Sequence, residues 1–505
     1  VGSNWDDNTA PSLFDINNDY VIPNVANDPV INSGTYTIVG TITIASGATL
    51  TINGGSVTHG AALDNDGRVI LKSNTAWVQN ASSTGSGDFQ YIRSLANSNW
   101  YVITSPVAGQ DIDIFVSNSS LETSGSFSAF GTYNTSSDDY TYYTTGSSGT
   151  GNFTPGKGHT VSLAGSSGDL TFTGSNPQTT TVTYDLEFTG SRYNLVGNPF
   201  PSYLTTSSWM NNNSAKLDEQ TIWKWSADAA SFTQFNLAND VKISPCQGFF
   251  VEAKSGGSGD LEFRQADLIA SGSTFDRPEN IAKVQLTMKN SSTLREARIY
   301  YVEGTTTGFD NGWDSKIFGG QNNDFAIYTK HLTPEINRDN DLGIQSVPST
   351  DYSIPVGINA EAGTDITLSA ISENLPEGMN VYLEDTDTDT LTRLDDTSEY
   401  SLSLPDGSAG IGRFYIHTVA NELEIGENNL DNIIIYKSQD NNLQISGLQD
   451  GIANLKVYNM LGKQVLETSF EANRTNTISI QSLQQGIYIV HLETTAGTII
   501  KKIGL

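Results

Sequence analysis

Four blocks of this sequence occur twice, in one order, at offsets of 90 to 93 residues. Trp100-Tyr101-Val102-Ile103-Thr104-Ser105-Pro106 returns as Tyr193-Asn194-Leu195-Val196-Gly197-Asn198-Pro199. Tyr133-Asn134 and Tyr140-Thr141-Tyr142-Tyr143 return as Trp225-Ser226 and Phe232-Thr233-Gln234-Phe235. Pro155-Gly156-Lys157-Gly158-His159-Thr160-Val161 matches Pro245-Cys246-Gln247-Gly248-Phe249-Phe250-Val251, and Gly168-Asp169-Leu170-Thr171-Phe172 matches Gly259-Asp260-Leu261-Glu262-Phe263. Residues 86–175 and 176–272 therefore read as two copies of one jelly-roll-like β-sandwich unit, or as two halves of one pseudo-symmetric domain. Recurring Pro155/Pro245 and Gly158/Gly248 demand the same backbone turns in both copies.

Elsewhere too, short stretches alternate apolar and polar residues between Gly, Ser, Thr, Asn and Asp, which predicts an all-β, multidomain chain. Over residues 1–85, Tyr36, Ile38, Ile42, Ile44, Leu50 and Ile52 point one way between Gly-rich breaks, which suits a β-solenoid or a small sandwich. Strands such as Val284-Gln285-Leu286-Thr287-Met288 and Arg413-Phe414-Tyr415-Ile416-His417 predict an immunoglobulin-like sandwich over 273–424. An acidic link at 421–429 precedes a small C-terminal β-sandwich over 430–505.

With 26 Lys+Arg against 56 Asp+Glu the net charge is −30, which repels phosphate backbones and argues against nucleic acid as a partner. The same carboxylate excess makes Ca2+ a candidate bound ion. A single cysteine, Cys246, permits no intrachain disulfide. No apolar run approaches the roughly 18 residues needed to cross a bilayer as a helix. Val1 opens the chain without a charged-then-apolar leader, so a mature chain after signal-peptide removal is expected.

Near the C-terminus, Leu455-Lys456-Val457-Tyr458-Asn459-Met460-Leu461-Gly462-Lys463-Gln464-Val465 is followed by Leu483, by Gly486-Ile487-Tyr488-Ile489-Val490 and by Lys501-Lys502-Ile503-Gly504-Leu505. This series resembles the type A sorting domain of the Bacteroidota type IX secretion system. The resemblance implies a β-sandwich recognised by the translocon, then handled by a sortase-like protease that attaches the cargo at the outer-membrane surface. It marks Tyr458, Asn459, Gly462, Gly486, Tyr488, Lys501 and Lys502 as the sorting signal. Gly462 suits a hairpin turn, and Tyr458 and Tyr488 are expected in the core. Upstream, Tyr193-Asn194-Leu195-Val196-Gly197-Asn198-Pro199-Phe200-Pro201-Ser202 and Gly308-Phe309-Asp310-Asn311-Gly312-Trp313-Asp314 resemble modules of adhesin-like flavobacterial surface proteins.

Signs of catalytic chemistry are weak. The histidines at 59, 159, 331, 417 and 491 are scattered without zinc-ligand spacing, and no Gly-x-Ser-x-Gly elbow occurs. Cys246 aligns with Gly156, so the repeat does not require a thiol there. Asp385, Asp387 and Asp389 alternate with threonines, as a solvated hairpin tip does, or as a calcium site would. Asp389-Thr390-Leu391 resembles a short O-glycosylation pattern centred on Thr390. Trp223 and Trp225 are either core residues or platforms for a polysaccharide. Residues 1–30, with Trp5, Phe14, Tyr20 and Ile22, read either as an assembly arm or as a cap folded over the first coils. The expected protein is a secreted, non-enzymatic structural or adhesive surface protein that self-associates, as in a filament or surface layer, or binds a surface ligand. A carbohydrate-binding protein is the alternative.

Overall fold

In the computed structural model the described residues are 19–505, apart from 178–179, 272–280, 334–339, 351, 396, 421–432, 438–441, 449–450, 460, 474, 485, 495–496 and 505. Strand accounts for 54% and helix for 5%, so the chain is all-β as its alternation predicts. It divides into two compact units, Val1–Arg277 and Pro278–Leu505.

The first unit begins as a solenoid. Three faces are built from parallel ladders: Tyr20–Ile22 to Ile42–Ile44 to Leu63–Asn65 to Ser83–Thr84; Val30–Ile31 to Thr49–Ile52 to Arg68–Leu71 to Asp88–Leu95; and Thr35–Ile38 to Ser56–His59 to Ala76–Gln79. Because paired positions recur every 19 to 22 residues, like side chains stack: Ile31, Ile52, Leu71 and Tyr91 form one register row along the coils. Each buried aliphatic side chain in such a row contributes roughly 1.5–3 kcal/mol. Tyr20 and Ile22 pair with Ile42 and Ile44, so they belong to the first coil and not to a free arm; Trp5 and Phe14 lie outside the described residues.

The strand Asp88–Leu95 has two roles. One edge closes the solenoid in parallel with Arg68–Leu71, and the other pairs antiparallel with Gly168–Gly174 of the first repeat copy. Solenoid and first copy accordingly share one apolar core, from Ile22 to Phe172.

The copies keep one register. Tyr101, Val102 and Ile103 face Val161, Thr160 and His159, while their counterparts Asn194, Leu195 and Val196 face Val251, Phe250 and Phe249. Tyr133 opposite Tyr140 becomes Trp225 opposite Phe232. Among the described residues each copy also carries one α-helix, Ile112–Asn118 and Thr206–Asn213.

Contacts between the copies are reciprocal. Thr104 N donates to Cys246 O at 3.0 Å, and the equivalent Gly197 N donates to Gly156 O at 3.0 Å. Bridges Ile103 to Gln247 and Lys157 to Val196 repeat the exchange. Reciprocity of this kind is the mark of a two-fold arrangement, so the copies are halves of one pseudo-symmetric body. Gly158 and Gly248 permit the approach: a Cβ on the first would lie 2.7 Å from Leu195 Cγ, and one on the second 2.5 Å from Val102 Cγ1.

In the second unit eleven strands form one continuous sheet. Its end strands, Thr390–Leu394 and Tyr400–Leu404, follow each other in the chain, and the sheet encloses a single core that includes Val284, Leu286, Val356, Leu368, Val381 and Ile416. The C-terminal body has two sheets. Three strands, Ile434–Lys437, Asn442–Ser446 and Thr475–Ser479, face four, Gln464–Ala472, Gly451–Asn459, Ile487–Thr494 and Gly497–Gly504. Leu443, Ile445, Leu455, Val457, Val490 and Leu492 fill the space between them.

Candidate functional site

The residues of the sorting motif take three positions in this small body. Asn459 and Gly462 build the hairpin: Asn459 Oδ1 accepts from Leu461 N and Lys463 N, each at 3.0 Å, and Gly462 N donates to Asn459 O at 2.8 Å. Gly462 has φ +76°, a left-handed conformation that favours glycine. Leu461 at the tip is 93% exposed. Tyr488 is buried in the core as expected, and its hydroxyl donates to Gln484 O at 2.8 Å. Gly486 lies just before the strand Ile487–Thr494.

Tyr458 departs from expectation. Leu455 and Val457 point into the core, so strand alternation turns Tyr458 to the outer face, where it is partly exposed. There it pairs with Ile489, which pairs in turn with exposed Lys502, giving one row across three strands. The next row is Lys456, His491 and Ile500, with Ile500 62% exposed. Lys501, of opposite parity, stands on the other side of its strand from Lys502. The outer face thus combines apolar isoleucines with Lys456 and Lys502, a mixed surface suited to protein recognition.

The other sheet of the same body meets the preceding domain through buried polar groups. Glu384 is 3% exposed and sits at the centre. Its Oε2 lies 2.8 Å from His417 Nε2 and accepts from the Tyr436 hydroxyl at 2.8 Å, and its Oε1 accepts from Ser446 Oγ at 3.0 Å. Burial pushes the Glu384 carboxyl up, but the bonds from His417, Tyr436 and Ser446 outweigh it and hold the group below its ordinary value. Burial and the Glu384 carboxylate drive the Tyr436 hydroxyl upward. A second, exposed link runs from Thr475 Oγ1 to Asp389 Oδ1 at 3.2 Å. Tyr436 and Ser446 carry no motif; Glu384 falls in Tyr382-Leu383-Glu384-Asp385, a stretch that resembles part of the adhesin-like modules and says nothing of this contact, and the further signal was a histidine ending Phe414-Tyr415-Ile416-His417.

The three aspartates do not converge. Arg413 takes Asp385 with both arms, Nε to Oδ1 at 2.8 Å and Nη2 to Oδ2 at 2.7 Å, and Tyr400 adds a hydrogen bond at 2.8 Å. Asp387 Oδ2 approaches the same guanidinium at 3.3 Å, whereas Asp389 turns to Thr475. The countercharge proposed for Ca2+ is thus a guanidinium. Among the described residues no group of three or more His, Cys, Asp or Glu is arranged to hold a metal ion. Thr390 pairs with Asp385 at the start of its strand, and its hydroxyl lies 2.8 Å from Thr388 Oγ1.

The remaining candidates lie in the first unit. Trp223 is fully buried, edge-on to Tyr193, while Trp225 is partly buried between the copies, its Nε1 donating to Trp100 O at 2.7 Å. Cys246 is buried with φ +55°, and burial pushes its thiol up to about 12, which makes it a poor nucleophile.

Residues 438–504 match the family described as a secretion system C-terminal sorting domain, and residues 1–237 match a domain of unknown function (DUF8693). The second match stops inside the second repeat copy, before the strand Gly248–Glu252 that completes its sheet. No curated protein matches the chain. Among solved structures, Tp47, the 47-kilodalton lipoprotein of Treponema pallidum, is 10% identical over 82% of this chain and 90% of its own, with a TM-score of 0.13, too low to support any likeness of fold. No helix among the described residues is long and apolar enough to cross a membrane. The sorting motif, its two-sheet frame and the matching family together make this chain a cargo of the type IX secretion system, exported for release or for attachment at the outer-membrane surface.

Proposed function

We propose that the exported chain is a non-enzymatic structural or adhesive surface protein, whose folded modules work by contact with other copies. The observation that carries this reading is the first solenoid coil. Among the described residues no strand pairs with the outer edge of Val30–Ile31 or Thr35–Ile38. Beside that edge lies an apolar cavity of about 140 Å³ lined by Ile22, Val30, Tyr36, Ile38 and Trp77. Such an edge accepts a strand from a neighbour and satisfies its backbone groups in doing so. The likeness of the upstream blocks to adhesin-like modules agrees with this role.

Electron microscopy of the purified chain tests it. Regular fibres or sheets are expected, and Val21→Lys with Val30→Lys, which places charge beside the edge, should abolish them while circular dichroism stays unchanged. A strictly monomeric wild-type chain at high concentration refutes the reading.

A second reading, polysaccharide binding, is favoured by Trp100 and Tyr142. They are 39% and 38% exposed with ring centroids 5.8 Å apart, a pair on which a sugar face can stack. Binding to a glycan panel that is lost in Trp100→Ala would favour it.

A further inference from the structure

We propose that the Glu384 cluster is a positioning clasp that fixes the sorting domain on its cargo, so that the sheet bearing Tyr458, Ile489 and Lys502 is presented outward. The proposal rests on the assignment of this domain as the export signal.

Three observations lead to it. First, three hydrogen bonds reach the preceding domain from one sheet: from Tyr436 on Ile434–Lys437, Ser446 on Asn442–Ser446 and Thr475 on Thr475–Ser479. On these strands Ile435, Leu443 and Ile445 point to the core, so Tyr436 and Ser446 stand on the opposite side and are nevertheless buried, at 7% and 4% exposure. The preceding domain supplies that cover: Tyr436 packs with Tyr382, Leu391 and Val419, and its ring lies 4.8 Å from that of His417.

Second, the four-stranded sheet lies on the far side of the core, and there Ile452, Ile487, Ile489 and Ile500 remain 37–63% exposed. One face of the small body is therefore held, and the other leaves these isoleucines exposed. Third, a single carboxylate organises the held face. Glu384 accepts from one donor of its own domain and two of the sorting domain, so its removal leaves Tyr436 and Ser446 buried without their acceptor. Buried, fully bonded polar groups fix one orientation where an apolar contact would allow several.

Spin labels on the full chain at Asp406→Cys and Glu471→Cys report the distance between the two domains; native Cys246 is buried and does not label. A single narrow distribution is expected for the otherwise wild-type chain, and at least a twofold broader one for Glu384→Ala. Glu384→Gln, which keeps the volume and one acceptor oxygen, should fall between them. Ser446→Ala should broaden it less than Glu384→Ala. Melting of each domain, followed by hydrogen exchange, separates release from unfolding: both domains should stay protected in Glu384→Ala. A Glu384→Ala chain with the narrow distribution of the wild type, or a broad distribution in the wild type itself, overturns the clasp. Export is read separately: loss of display in Ile489→Asp/Lys502→Glu with the narrow distribution retained supports the outward face as the signal. Unchanged display in that variant removes the outward-presentation claim and leaves the distance result standing.

Discussion

Two of the seams within the units differ in how their bonds are distributed. Between the repeat copies reciprocal backbone hydrogen bonds and rings, with Tyr133 against Phe250 at 4.9 Å, are joined by scattered side-chain bonds such as Thr135 Oγ1 to Tyr193 O and Trp225 Nε1 to Trp100 O, each at 2.7 Å. Between the eleven-stranded domain and the sorting domain the seam centres on a buried carboxylate, an imidazole and two hydroxyls. A seam knit by backbone bonds and many scattered contacts is lost only with the fold of its halves. The polar one depends on a few directional bonds, so one substitution can open it while each side keeps its own core. This difference agrees with a permanent two-fold body on one hand and a delivered signal on the other.

Three perturbations sharpen the contrast. The largest effect is expected from Arg413→Ala, which strands Asp385, fully buried beside the polar seam, and should cost about 3 kcal/mol in urea denaturation. Burial raises the Asp385 carboxyl, but Arg413 and Tyr400 hold it below its ordinary value, so its contribution is present above that value and lost as pH falls through the folded one. The variant should therefore also flatten the acid limb of stability.

Next is the two-fold seam. Gly248→Ala drives a Cβ into Val102 and Gly158→Ala drives one into Leu195, each expected to cost about 1–3 kcal/mol. If the seam is reciprocal, both should loosen protection of the partner copy in hydrogen exchange. An effect confined to the mutated copy would break the comparison.

The smallest effect at neutral pH is at His159, a buried imidazole stacked 4.9 Å from Phe130 where the second copy has Phe249. Burial lowers its pKa to about 3, so below the unfolded value of about 6.5 the unfolded chain gains a proton that the folded chain refuses. Stability should fall from about pH 6.5 toward pH 3. His159→Phe should remove that slope and match or exceed the wild type at pH 7. An unchanged slope would show that the imidazole titrates freely.

Much of this was legible in the chain. The offsets between Tyr140 and Phe232 or Gly158 and Gly248 translated directly into shared register, because a strand ladder preserves spacing. Gly462 lies in a hairpin turn and Tyr488 in the core, as expected, while the turn-capping role of Asn459 is seen only in the structure. The two-fold contact was not legible, since an offset says that two units are alike and not which faces meet. Nor was the double use of Asp88–Leu95, because parallel and antiparallel edges show the same alternation. Tyr458 is expected in the core, although its parity against Val457 points outward. Arg413 and Asp385 stand 28 residues apart, and only the pairing of Asp385 with Phe414 shows that they meet. The Glu384 clasp joins positions up to 62 residues apart, a distance no local pattern spans.

The most direct measurement is of where the protein goes. A chain truncated after residue 429, expressed in a type IX-competent host, should fold and accumulate in the periplasm, whereas the full chain reaches the cell surface or medium. Equal surface display or release of the truncated chain would contradict the account.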